Sequence, residues 1–391
     1  MSIHISSAFD AGAIEVVRAD EAHAIDLRLR KDSHADIAQW FYFRLQGVRG
    51  QRCTLRFLNA GDATYPDGWK DYQAVASYDR EHWFRVPTAF DGKVMTISHT
   101  PLHDGIYYAY FEPYSWERHL SLLARAQLSP RARIAHLGRT VDGRDLDMVT
   151  IGEPAPGNSV AGDPAAGAPA ARKKVWIIAR QHPGETMAEW FVEGLLDALL
   201  DESCEVARQA LEHAVFHIVP NMNPDGACRG NLRTNAAGAN LNREWMSPSP
   251  QTSPEVFHVR QRIHETGCDL FLDIHGDEGL PYVFVAGSEM LEGFTPQQMT
   301  EQQTFIERLQ QANEDFQTEY GYPAGKYRED MLKLASKYIG HVFKCVSLTL
   351  EMPFKDNARS PQPKIGWNGA RSAQLGRDML RPILDNVRRN A

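Results

Sequence analysis

The sequence predicts an α/β domain on a mixed, mostly parallel sheet flanked by helices, preceded by an all-β sandwich. Three observations carry this. Short aromatic-rich or alternating runs, separated by Gly, Pro and Asp, fill residues 1–115. From residue 116 onward, apolar runs of strand length alternate with segments of helical period. The chain has 391 residues, 43% of them hydrophobic, which suits two domains with large cores and requires no covalent staple.

In the first region, Trp40-Phe41-Tyr42-Phe43-Arg44-Leu45 is a strand bounded by Gly47, and Cys53-Thr54-Leu55-Arg56-Phe57-Leu58 alternates. Trp83-Phe84-Arg85-Val86, Val94-Met95-Thr96-Ile97 and Tyr107-Tyr108-Ala109-Tyr110-Phe111 follow at short intervals. The aromatic side chains read as core and cross-strand pairs in preference to a binding face.

Residues 116–128 are helical by the spacing of Leu120, Leu123, Ala124 and Leu128, and the domain boundary falls just before them. Residues 134–137 and 146–151 read as paired strands joined through Asp142-Gly143. Residues 154–171 are Ala, Gly and Pro with almost no large apolar side chain, a flexible insertion and not a domain.

Next come the strand Val175-Trp176-Ile177-Ile178-Ala179 and a helix marked by Met187, Trp190, Phe191, Leu195, Leu196 and Leu199. Strands at 215–219, 270–274 and 345–350 alternate with a helix candidate at 256–266. A further helix carries Phe305, Ile306, Leu309, Ala312, Phe316 and Tyr320 on one face. The last helix spans 372–388.

A formal charge of −8 argues against nucleic acid as a partner. Five cysteines at irregular spacing suit a reducing compartment. Neither a secretory signal nor an apolar run of spanning length is visible, so no membrane partner is expected and a cytoplasmic location is.

The chemistry gathers at strand ends. His182 and Glu185 sit on a strand-to-helix turn bent by Pro183 and Gly184. Alone, they also fit a polar turn with a helix-starting glutamate. Two other apolar strands end at His275 and at Glu351. Strand ends on one sheet edge converge on one crevice. Two His and a Glu are a ligand set for catalytic zinc, with a fourth position left open. A further carboxylate must then move the water's proton, and Glu351 stands ready for that. Arg233 and Arg243, on the long loop after the 215–219 strand, can match a carboxylate or an oxyanion, or be plain surface arginines.

The motifs His182-Pro183-Gly184-Glu185, Asn223-Pro224-Asp225-Gly226, Gly230-Asn231-Leu232-Arg233, Leu241-Asn242-Arg243, Asp273-Ile274-His275-Gly276 and Thr349-Leu350-Glu351-Met352 together resemble the zinc metallocarboxypeptidases. The nearest resemblance is to the cytosolic carboxypeptidase subfamily, whose β-sandwich precedes the catalytic domain. It implies domains at 1–115 and 116–391 and one Zn²⁺ per chain, held by His182, Glu185 and His275. It implies that Glu351 is the general base, that Arg233 polarises the scissile carbonyl, and that Asn242 and Arg243 hold the carboxylate of a peptide or protein C-terminus. Removal of C-terminal glutamate would need a basic side-chain pocket. Lys337 is the candidate charge, against the alternative of a solvated lysine. Asn240 stands where the family commonly places an acidic residue behind the first zinc histidine. Neither Tyr327 nor Tyr338 falls on the tyrosine position of the secreted enzymes.

Two other functions fit parts of the pattern. One is a zinc amidohydrolase acting on a small N-acyl amino acid or a cell-wall peptide; the N-terminal β-region disfavours it. The other is a non-catalytic binding module of the same fold, which would have no need to keep a base beside a full ligand set.

Overall fold

The computed structural model describes residues 2–153, 172–323 and 328–389. The expected insertion at 154–171 lies outside the described residues. The N-terminal β-rich domain consists of two five-stranded sheets. One contains Tyr42–Gln46, Gly105–Ala109, Ala74–Ser77 and Trp83–Val86; the other contains Ile25–Arg28, Cys53–Phe57 and Met95–His99. The alternating pattern of Cys53–Phe57 buries Cys53, Leu55 and Phe57. Phe57 meets Phe41 and Phe43 from the other sheet at ring distances of 4.8 and 6.3 Å. The aromatic run at 40–43 is core, with Trp40 through Phe43 buried.

The following α/β domain carries a seven-stranded sheet. Its order is Ala132–Arg139, Asp145–Ile151, Ala214–Val219, Lys173–Ala179, Leu270–Asp277, Val346–Pro353 and Phe284–Ala286. The four strands from Ala214–Val219 to Val346–Pro353 are parallel; the flanking pairings are antiparallel, so the sheet is mixed. Helices cover both faces, which is why the central strands are apolar throughout and do not alternate. Trp176 and Ile178 pack on one face with Val256, Val259, Ile263 and Ile339. Val175, Ile177 and Ala179 pack on the other with Met187, Phe191 and Leu195. That second core continues into the β-rich domain, where Tyr110 stacks on Phe354 at 4.5 Å.

Two of the expected helices differ from expectation. The helix at Pro296–Ala312 ends at Asn313, whose φ of −137° and ψ of 125° are extended. Phe316 lies beyond it, bridging to Val283, so its helical spacing with Leu309 is coincidental. The terminal helix is two, Gly369–Asp378 and Leu380–Arg389. Pro382 has no N–H for the carbonyl of Asp378, which breaks the ladder there.

Candidate metal centre

The Lys173–Ala179 strand delivers the chain to the sheet edge, where Arg180 takes the left-handed region with φ of 60°. That sharp bend is held from behind. The buried Arg180 guanidinium donates to the carbonyls of Pro183 and Tyr114 and to Glu189 Oε2 at 2.6 Å. Glu189 Oε1 in turn lies 2.6 Å from His119 Nδ1, so the buried charge is compensated on both sides. Gly184 N–H donates to Leu232 O at 2.8 Å, and a Cβ on Gly184 would sit 3.0 Å from Leu232. Any larger residue would push Leu232 back, so glycine keeps this approach between the turn and the arginine loop close.

The turn brings His182 and Glu185 to one side, and the neighbouring Leu270–Asp277 strand adds His275. One donor atom from each of the three lies within 4.8 Å of the others. His182 Nδ1 is 2.6 Å from Glu185 Oε1, and His275 Nδ1 is 2.7 Å from Glu185 Oε2. The Nε2 atoms point away, to Asn240 Oδ1 at 3.1 Å and to Asp273 Oδ2 at 2.9 Å. Outer acceptors of this kind fix the tautomer that leaves Nδ1 free to ligate. All three side chains are buried, and the donor set matches zinc. Burial pushes His182 down to about 3, keeping its ring neutral. Burial acts on His275 in the same sense, but the carboxylates of Asp273 and Glu185 overcome it and hold its pKa well above the usual value. Those two anions favour a positive charge at His275 Nδ1, and a divalent cation meets that demand as well as a proton does.

Glu351 is the register partner of His275 on the adjacent parallel strand, so the two side chains share a face. Burial holds the Glu351 carboxyl well above the usual range. Its Oε1 lies 2.8 Å from Tyr322 Oη, which also meets Asp277 Oδ2 at 2.9 Å. Its Oε2 is buried without a hydrogen-bond partner among the described residues.

A cavity of about 620 Å³ opens over these groups. The residues expected to hold metal, catalyse or bind substrate all line it: His182, Glu185, Arg233, Asn242, Arg243, His275, Lys337 and Glu351. Asn242 receives the Ala335 N–H on Oδ1, leaving its amide nitrogen 3.3 Å from His275 Nε2. Arg243 Nη1 donates to the Asn242 carbonyl at 2.7 Å. Lys337 is not a solvated lysine. It is half-buried, its Nζ donates to the Ala286 carbonyl at 3.4 Å, and burial lowers its pKa to about 8.

Several residues of the site have no role in the sequence expectations. Asp273 was findable, since a residue two before His275 on a strand shares its face. Tyr322 gave no signal, because it lies on a loop outside any periodic segment. Tyr338 instead bonds His264, and Tyr327 lies outside the described residues. Residues 64–68 of the β-rich domain also line the cavity, and the Arg233 guanidinium lies 5.5 Å from the Tyr65 ring.

Comparison with known proteins agrees with this geometry. Residues 119–366 match the family model described as zinc carboxypeptidase, and residues 5–111 match that of the cytosolic carboxypeptidase N-terminal domain. A metallo-carboxypeptidase from Burkholderia cenocepacia is 60% identical, with a TM-score of 0.95 and complete coverage of both chains. A metallo-carboxypeptidase from Pseudomonas aeruginosa, solved with (2-guanidinoethylmercapto)succinic acid, is 42% identical. Its TM-score is 0.91, over 98% of this chain and 100% of that one. Mouse cytosolic carboxypeptidase 6 is 28% identical over 98% of this chain and 73% of its own length. The chain is a zinc-dependent metallocarboxypeptidase: it belongs to the zinc carboxypeptidase family and carries ahead of the catalytic region the N-terminal domain of the cytosolic carboxypeptidases.

Proposed function

We propose that this enzyme removes single residues from the C-terminus of cytoplasmic peptides or proteins, with glutamate the preferred residue. The single observation that carries this reading is the shared cavity, in which a His₂Glu donor set, a buried carboxyl, two arginines and one lysine converge. His182, Glu185 and His275 hold the metal. When bound, zinc supplies Lewis acidity that polarises a carbonyl and acidifies water. Arg243 and Asn242 hold the substrate carboxylate, which an internal peptide bond lacks. Arg233 stabilises the oxyanion that forms on the scissile carbonyl. Glu351 accepts a proton from the attacking water and delivers it to the leaving nitrogen. Its buried, poorly solvated carboxylate makes it a stronger base than an exposed glutamate.

Arg243→Ala raises KM for free-carboxylate peptides by about 100-fold, the loss of a charge-assisted pair, with a smaller effect on kcat. Steady-state kinetics on matched free and C-terminally amidated peptides check this. Equal cleavage of both by the wild type would remove the exopeptidase reading.

The preference for glutamate rests on Lys337. A partly desolvated ammonium gains more from a carboxylate than a hydrated one does. A peptide library varied only at the last residue, read by mass spectrometry, tests it. C-terminal glutamate is released fastest, and Lys337→Met lowers that rate about tenfold with leucine unaffected. Because the lysine charge is lost as pH rises through about 8, glutamate selectivity declines over the same range. The Pseudomonas aeruginosa ligand carries a guanidino arm as well as two carboxylates, and Glu289 lines a further cavity of about 490 Å³ that shares Lys337. Fastest release of lysine or arginine would therefore replace the glutamate reading with a basic one.

A further inference from the structure

We infer that Asp32, a residue of the N-terminal β-rich domain, is a positioning residue for Arg233: its carboxylate fixes the backbone from which that guanidinium enters the cavity. This rests on the proposed role of Arg233 at the oxyanion.

Arg233 lies on an irregular stretch between the helix Pro224–Arg229 and the short 3-10 turn Leu241–Arg243. No strand or helix of the catalytic sheet fixes its backbone. Three successive N–H groups there converge on one anion. Asp32 Oδ1 accepts from Leu232 N–H at 2.6 Å; Oδ2 accepts from Arg233 N–H at 2.8 Å and Thr234 N–H at 2.9 Å. The Thr234 hydroxyl adds a fourth bond at 3.1 Å. Consecutive N–H groups around an anion form a nest, whose shape depends on the anion being present. Here the anion comes from a segment about 200 residues earlier in the chain and is only 6% exposed. Burial raises its pKa, and the same three N–H groups oppose the rise.

Asp32 is itself well placed to impose geometry. Its N–H donates to Ile37 O at 2.7 Å, and Ser33 N–H donates to Asn231 Oδ1 at 3.1 Å. The Arg30 guanidinium donates to the Arg229 carbonyl. Ala11 N–H reaches Cys228 O at 3.0 Å. Leu232, held at its N–H by Asp32, accepts on its carbonyl from Gly184 of the metal turn. One carboxylate thus aligns the arginine loop against the turn that carries His182 and Glu185. The N-terminal domain acts on catalysis through this contact, and Tyr65 beside the Arg233 guanidinium completes the wall.

The test is a double-mutant cycle with kcat, KM and zinc content read for each protein. In Asp32→Asn the amide must turn an N–H toward at least one of the N–H donors, so the nest cannot close. The variant keeps its zinc and a KM within about twofold of wild type, while kcat falls about 10- to 100-fold, as expected for a displaced transition-state group. In an Arg233→Ala background the same substitution changes kcat by less than about twofold. Thr234→Val, which removes one of the four bonds, shows a smaller kcat loss with the same non-additivity and carries the test if Asp32→Asn does not fold. Ser33→Ala, on the same contact but off the nest, leaves kcat unchanged. Wild-type kcat in Asp32→Asn, or an undiminished loss in the Arg233→Ala background, overturns the inference. Wild-type kcat in Arg233→Ala alone overturns the role of Arg233, and the inference with it.

Discussion

Replacing Glu351 by glutamine abolishes turnover and leaves zinc in place. The two side chains are nearly the same shape, and glutamine keeps an acceptor for Tyr322, which meets Glu351 Oε1 at 2.8 Å. What it loses is the ability to take a proton. General acid–base groups contribute about 10²- to 10⁴-fold, and one residue here serves both the attack and the departure of the amine, so kcat falls toward the upper figure. KM moves little, because Arg243 and Asn242, the proposed holders of the substrate carboxylate, are unchanged. The metal is retained because Glu351 stands beside His275 in register and outside the His182, Glu185 and His275 donor set. Single-turnover cleavage with metal analysis on the same sample checks both halves. Substantial activity in Glu351→Gln would mean another group moves the proton, with Asp277 the nearest carboxylate bonded to the same tyrosine.

The second large effect falls on His182→Ala, which removes zinc. Three protein donors leave no redundancy, and losing one weakens zinc binding by more than the roughly 10- to 100-fold cost of an outer partner. The substitution also leaves the buried Glu185 carboxylate with only the His275 imidazole beside it. Metal content measured after purification drops from about one zinc per chain to a small fraction, and the melting temperature falls because a ligand bound only by the native state no longer contributes. Far-ultraviolet circular dichroism stays native, since the turn is braced separately by Arg180 and Glu189. Unchanged metal content would mean the ion is held elsewhere.

Different parts of this protein were unequally legible. Strands buried on both faces show as continuous apolar runs, and the candidate side chains stand at their ends, so His275 and Glu351 can be read directly. The helix at Pro296–Ala312 was over-extended because Phe316 happens to continue its period, while Asn313 ends it. The Phe284–Ala286 strand passed unnoticed: three residues pairing antiparallel with Val346–Pro353 make too short a pattern to detect. Lys337 could be singled out from its place before Glu351, yet whether it was solvated or enclosed depended on Ala286, which only the fold brings near.

The sequence by itself determined the layer architecture, the strand ends and the residue types that meet there, because hydrophobic period and strand-end placement are local properties. The tertiary structure alone decided that Tyr322 joins Glu351 to Asp277. It alone showed that the β-rich domain holds the arginine loop through Asp32 and lines the cavity with residues 64–68. Those contacts join segments far apart in the chain, and no local propensity records which distant side chain will meet a loop once two cores have packed into one.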